Sequence, residues 1–299
     1  MPEQIPFDAL MPPEMAGKAE NVGVNKAHLN SFRMFALSVL AGAFIALGAV
    51  FSTTATTGGS ALPFGVTRVL AGATFSLGLI LVVVAGAELF TGNNLIIMAW
   101  AGRRVTTMEL LRNWVIVYIG NFVGSVLTAY MMFLSKQYTM SGGALGLNAL
   151  TIANSKSGLE FVQALVLGIF CNALVCLAVW LCMSARSTTD RVLAIVPPIT
   201  AFVAAGFEHS IANMYFIPVA LFIKSGASAE YWTQIGKTAA DFPNLTWGNF
   251  FIANLLPVTI GNIIGGAVML PMVYWSIYLR ATSSMAAKPT QMNVGQTRS

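Results

Sequence analysis

Gly86-Ala87-Glu88-Leu89-Phe90-Thr91-Gly92-Asn93-Asn94 interrupts an apolar run that extends from about Val66 to Trp100. Gly206-Phe207-Glu208-His209-Ser210-Ile211-Ala212-Asn213 does the same to a run from about Val192 to Ile223. Wound as one helix, the first run would be about 52 Å long, too much for a hydrocarbon core of about 30 Å even with tilt. Asn, Ser, Thr and Gly are poor inside helices but good at their caps, so both runs are expected to break at these stretches. Irregular backbone at membrane depth survives only where protein buries it or a wet cavity runs beside it. Half-helix N-termini directed there carry free N–H groups and partial positive charge, which favours an anion.

The rest of the chain is composed for lipid. Of 299 residues, 56% are hydrophobic and 9% charged, and the mean hydropathy is +0.73. Soluble domains carry about 25% charged residues, so an ordinary soluble enzyme and a disordered protein are both excluded. The net charge of +5 does not mark a nucleic-acid binder, because the basic residues flank apolar segments instead of forming a stripe. At roughly 20 apolar residues per crossing, the chain holds six. Besides the two broken runs these are about Phe32–Phe51, Met108–Leu134, Leu159–Met183 and Phe250–Tyr278. The fold expected is an all-α integral membrane protein, one six-helix domain over residues 31–280 with its second and fifth helices broken.

Residues 1–30 form a leader in which Met15, Ala19 and Val22 recur at i, i+4 and i+7, the pattern of a short amphipathic helix at the membrane surface or packed on a neighbour. The stretch Ser135 to Ser157 is polar and Gly-rich, and a loop with Lys237 and Asp241 precedes the sixth crossing. The Ser/Thr/Gln-rich tail, residues 281–299, is expected to be disordered. A cleavable signal peptide is not expected, since the first apolar run starts near residue 34. Cys171, Cys176 and Cys182 share one apolar run and read as small buried hydrophobes. With the amino terminus inside, the inner segments hold eleven basic residues: Lys18, Lys26, Arg33, Arg103, Arg104, Arg112, Arg186, Arg191, Arg280, Lys288 and Arg298. The outer segments hold five (Arg68, Lys136, Lys156, Lys224 and Lys237), so both termini are expected in the cytoplasm.

The two halves also resemble each other. Gly42-Ala43-Phe44 matches Gly168-Ile169-Phe170, and Gly86-Ala87-Glu88 with Asn93 matches Gly206-Phe207-Glu208 with Asn213. Asn113 with Gly120-Asn121 and Gly124 matches Asn254 with Gly261-Asn262 and Gly265. Repeat one covers about residues 31–135 and repeat two about 158–280. Three crossings is an odd number, so the second copy is upside down, the inverted repeat of many transport proteins. Gly120/Gly124 and Gly261/Gly265 give each copy a spacing that lets helix backbones approach closely.

Glu88, Glu208 and His209 are the ionisable residues deep in the apolar runs, each costing about 2.5 kcal/mol or more to insert alone. The glutamates, as a repeat-related pair, suit acceptors for loop N–H groups, with a direct substrate role as the alternative. His209 faces Leu89 in the other copy, and an asymmetric polar residue on a symmetric scaffold points to function. Imidazole can donate a hydrogen bond or exchange a proton with an anion. Thr91 at the other break is its natural hydroxyl partner, and Asn172 and Val175 share a helix face that could complete the cavity wall. Phe75, Leu79 and Phe202 are either ordinary packing or apolar gates that exclude hydrated ions by dewetting.

With these residues the chain resembles the formate/nitrite transporter family, its formate-channel branch above all. The segments that carry the resemblance are Gly86 to Gly92, Gly168-Ile169-Phe170-Cys171-Asn172-Ala173-Leu174-Val175-Cys176-Leu177-Ala178, Gly206-Phe207-Glu208-His209-Ser210-Ile211-Ala212-Asn213-Met214 and Pro257-Val258-Thr259-Ile260-Gly261-Asn262. The resemblance implies a homopentamer of aquaporin-like protomers in a bacterial inner membrane, each with its own pore for formate. It implies a centre at His209 and Thr91 with Asn172 nearby, one constriction at Phe75, Leu79 and Phe202, and another at Leu89, Phe90 and Val175. It also sets Lys156 and Asn262 along the anion's route and makes a cytoplasmic formate-metabolising enzyme a plausible partner. No cofactor is implied. Two alternatives stand beside it: a channel for nitrite or hydrosulfide on the same architecture, and an intramembrane metalloenzyme using Glu88, Glu208 and His209. The second is disfavoured because a zinc site needs three protein ligands and this set has one histidine in no ligand-pair spacing.

Overall fold

The computed structural model describes residues 9–280; the tail from residue 281, Lys288 and Arg298 included, lies outside the described residues, as do the first eight of the leader. Among the described residues all regular structure is helical. Six helices are long and apolar enough to cross a membrane: Ser31–Thr56, Phe64–Gly86, Thr107–Leu134, Phe161–Ser184, Thr188–Ala205 and Trp247–Leu279. Both expected breaks are present. The second run leaves helical geometry after Gly86 and resumes as short helical segments over residues 90–101. The fifth stops at Ala205 and resumes as Ser210–Gly226.

Capping boxes start two of the spans, Thr106 with Glu109 and Ser187 with Asp190. The backbone N and the hydroxyl of Thr106 each donate to the Glu109 carboxylate at 2.8 Å, and Ser187 N donates to Asp190 Oδ2 at 2.9 Å. The polar and apolar surfaces are arranged inside out relative to a soluble protein. Phe32, Leu47, Val115, Met131, Val162, Ile252 and Val268 are exposed on the outer faces, whereas Asn113, Asn121, Asn172, Asn213, Asn254 and Asn262 are fully buried. In lipid an outward apolar side chain is solvated and an unpaired amide is not.

Two stretches between the apolar runs contain helices. Ala144–Ser157 is helical, with Leu145, Ala149, Leu150 and Ala153 buried on one side. The polar Asn148, Thr151, Asn154 and Lys156 that share the segment dilute its average hydropathy and hide that stripe. After Ser210–Gly226 the chain bends by 111° into Ala229–Ile235, where the Ser228 side chain accepts from Tyr231 N. The leader forms the helix Pro12–Ala27, but its buried stripe is Met15, Ala16, Ala19, Gly23 and Ala27, with Val22 half-buried. The stripe of small residues brings it onto the 90–101 segment, where a Cβ on Gly23 would stand 3.3 Å from Ala99 Cβ.

Mirrored hydrogen bonds fix the repeat register. Glu88 N donates to Leu37 O and Glu208 N to Leu167 O, both at 3.3 Å. Gly124 lies against Val39 O and Gly265 against Ile169 O, where an added Cβ would come within 2.0 Å in each case. Ser38 is therefore equivalent to Gly168, and Gly42 to Asn172. The Gly42/Gly168 match seen in the sequence is displaced by four residues, about one turn, a slip that keeps the same helix face and so leaves the pattern deceptively intact. Lys26 and Lys156 fall at the same spacing as Ser38 and Gly168, so Pro12–Ala27 and Ala144–Ser157 hold equivalent places ahead of the three crossings of each half.

Gly124→Val and Gly265→Val should each lower stability by about 1–3 kcal/mol through forced separation of two helix backbones. A drop in thermal unfolding temperature in detergent, similar for the two mirror positions, is the expected reading.

Candidate permeation site

Each break is closed by the same four-residue clasp. Around the first, Lys26 Nζ donates to Glu88 Oε1 at 2.7 Å, and Asn93 Nδ2 donates to Glu88 Oε2 at 2.7 Å and to Asn113 Oδ1 at 3.0 Å. Asn113 Nδ2 closes the ring on Lys26 O at 3.1 Å. Around the second, Lys156 Nζ meets Glu208 Oε1 at 2.7 Å, and Asn213 Nδ2 donates to Glu208 Oε2 at 2.7 Å and to Asn254 Oδ1 at 2.8 Å. Asn254 Nδ2 reaches Lys156 O at 2.9 Å. A carboxylate buried beside an ammonium and an amide is tolerable at this depth; either charge alone is not.

Two further asparagines hold the loop backbone. Asn121 donates to Ser38 O and Glu88 O at 2.8 and 2.9 Å and accepts from Phe90 N at 2.9 Å. Asn262 donates to Gly168 O and Glu208 O at 2.8 and 2.9 Å and accepts from Ser210 N at 2.9 Å. The turn glycines match as well, with φ of 89° at Gly86 and 80° at Gly206, a region that favours glycine. Asn262 thus engages its amide with one carbonyl of the fourth crossing and one of the loop. Asn172 is similarly engaged, donating to Thr91 O, Asn94 Oδ1 and Asn262 O at 3.3, 3.1 and 2.7 Å.

The symmetry fails at the centre. Leu89 and His209 occupy equivalent extended positions just ahead of their half-helices. Thr91 Oγ1 and His209 Nε2 approach to 3.0 Å, and both residues are buried. His209 Nδ1 accepts from Ala212 N at 3.0 Å. A backbone N–H can only donate, so Nδ1 keeps its lone pair and the neutral ring carries its hydrogen on Nε2. That hydrogen is directed at Thr91 Oγ1.

Aromatic side chains cover this centre. Phe202 lies over the His209 ring at 6.0 Å and meets Phe75 edge-on at 5.8 Å, and Phe216 stacks on Phe75 at 6.2 Å. Leu79, Leu89 and Val175 are buried. Phe90 is turned toward the third crossing, edge-on to Tyr118 at 4.9 Å and Trp114 at 6.2 Å. A vestibule of about 900 Å3 leads to Phe75, Phe202 and His209 and is also lined by Arg68, Lys156 and Glu208. Lys26, which the sequence reading counted only for orientation, proves to be the counterpart of Lys156; its signal was the spacing from Lys156, readable once the repeat register is known. Glu88, Glu208 and His209 do not form a metal site, and among the described residues no three His, Cys, Asp or Glu side chains gather as one.

Residues 13–276 match the family model described as "Formate/nitrite transporter". The chain belongs to the formate/nitrite transporter family. It is 48% identical over 275 residues to the formate channel FocA of Escherichia coli strain K12, covering 92% of this chain and 96% of that one. It is 42% identical over 260 residues to the formate channel FocA of Haemophilus influenzae, covering 87% and 92%. Among solved structures it superposes on a pentameric formate channel with formate bound with a TM-score of 0.80 and 47% identity, over 84% of this chain and 98% of that one. An FNT family ion channel matches with a TM-score of 0.73 and 28% identity, over 88% and 98%.

Glu88→Leu and Glu208→Leu each strand a partly buried lysine, and should lower stability by about 3–5 kcal/mol. The two losses should be alike, measured by unfolding in detergent, whereas the paired change Lys156→Met with Glu208→Leu should recover a large part of the second.

Proposed function

We propose that this chain is a passive channel for formate that works as a homopentamer in a bacterial inner membrane, with both termini in the cytoplasm. The observation that carries the reading is the meeting of two mirrored helix breaks at a buried imidazole donor, reached from a vestibule and screened by Phe75 and Phe202. The likeness to formate channels over nearly the whole chain supports formate as substrate, and the solved pentamer supports the assembly. The excess of basic residues on inner segments supports the orientation.

The physical task is to move a small carboxylate past two apolar constrictions, Phe75, Leu79 and Phe202 on one side and Leu89, Phe90 and Val175 on the other. A bare anion pays a large desolvation cost there. Lys156, which lines the vestibule, Lys26, its counterpart at the other break, and the half-helix N-termini lower it from both sides. Between the slits His209 Nε2–H takes one carboxylate oxygen in place of Thr91, and Thr91 supplies a second donor. The Ala212 N–H on Nδ1 favours this neutral-donor role over proton transfer from an imidazolium. Flux is pH-sensitive because acid raises the share of formic acid, which crosses an apolar slit more cheaply. Asn172 and Asn262 act by holding Thr91 and Ser210 in register.

Uptake of formate, nitrite and hydrosulfide by proteoliposomes across a pH series tests the substrate; preference for nitrite or hydrosulfide would displace formate. His209→Phe should cut formate flux about tenfold or more, the worth of one charge-assisted hydrogen bond. His209→Asn, which keeps a donor, should retain more flux with an unaltered pH profile. Loss of the acid-side rise in that variant would instead assign proton transfer to the ring.

A further inference from the structure

The vestibule on the Lys156 side is lined by three formally charged side chains among the described residues: Lys156, Glu208 and Arg68. Lys156 and Glu208 neutralise each other at 2.7 Å. Arg68 has no carboxylate partner among the described residues. Its guanidinium is held by backbone oxygens instead, Nε donating to Ala204 O at 3.0 Å and Nη2 to Val203 O. Two cations against one carboxylate leave this mouth with a net positive charge, and the cation that carries it is Arg68.

Those carbonyls are the last of Thr188–Ala205, the helix that presents Phe202 and then turns at Gly206 toward His209. The negative end of that helix and the guanidinium stabilise each other. A guanidinium has five N–H donors in a rigid fork. Two are spent on the carbonyls, so three remain in a group that is half-buried and borders the cavity. A planar, fixed fork of this kind suits a carboxylate better than a mobile ammonium does.

We propose that Arg68 forms a capture site for a small monovalent carboxylate in this vestibule, ahead of the Phe75–Phe202 constriction. The inference rests on the formate reading for the identity of the ion. Ala204 and Val203 fix the guanidinium, its free N–H groups take the carboxylate oxygens, and the uncompensated charge concentrates the anion at the mouth. Lys156, locked to Glu208, contributes field farther in, and the ion passes from the first to the second.

The test is formate uptake by proteoliposomes as a function of formate concentration and ionic strength, for the parent chain, Arg68→Gln and Arg68→Lys. In the parent, an impermeant salt should raise the half-saturating concentration. Arg68→Gln should raise it about tenfold at low salt and flatten the salt response. Arg68→Lys keeps the charge but loses the fork, so it should keep the salt response while raising the half-saturating concentration about threefold, between the parent and Arg68→Gln. A parent whose half-saturation ignores salt overturns the proposal, and this arm needs no variant to fold. So does an Arg68→Gln indistinguishable from the parent, or an Arg68→Lys whose salt response is as flat as that of Arg68→Gln, which would leave Arg68 a helix cap alone. Should the parent carry nitrite and not formate, the formate reading falls, and the same three-way comparison with nitrite decides Arg68.

Discussion

A backbone amide freed from its helix at membrane depth has no water to turn to, and the rest of this structure depends on how that constraint is met. Breaking two helices exposes the N–H and C=O groups around Ala87–Leu89 and Phe207–His209, where each unsatisfied group costs several kcal/mol. Asn121 and Asn262 bridge the loop backbone to the first crossing of each half. The Lys–Glu–Asn–Asn clasps then hold each loop against a helix outside the three crossings. The carboxylates of Glu88 and Glu208 thus do two things: they anchor the loops, and they balance a partly buried lysine beside each break.

Function is an asymmetry written onto that scaffold. The backbone of the two breaks is nearly interchangeable, with Leu89 and His209 both extended and both followed by a half-helix. The chemistry is not. One half supplies Leu89 and Thr91, the other His209 and Ile211, and the hydroxyl of one finds the imidazole of the other. Gly42 and Asn172 differ in the same way: glycine lets the first crossing pack on the Asn121 backbone, while the asparagine ties Thr91 to Asn262. A symmetric frame satisfies the bilayer, and the few unmatched residues are the ones proposed to meet the anion.

Much of this was legible in the chain itself. Composition and run length determined six crossings, because lipid demands long apolar segments. The overlong runs and their Gly, Asn and Thr residues determined two breaks, and the ordered glycine and asparagine matches determined an inverted repeat. Glu88, Glu208, Thr91 and His209 stood out because charge and polarity are expensive at that depth.

Tertiary structure decided what spacing and average hydropathy cannot carry. It set the register of the first and fourth crossings, since a shift of four residues preserves the helix face and only backbone contacts such as Gly124 on Val39 distinguish the alternatives. It revealed helix Ala144–Ser157 inside a segment whose polar face masks its buried one. It paired Lys26 with Glu88 and, among the described residues, left Arg68 without a carboxylate, because ion pairing joins residues distant in sequence by geometry that no local pattern encodes. The chain alone specified which groups must be satisfied inside a membrane; folding chose the partners that satisfy them.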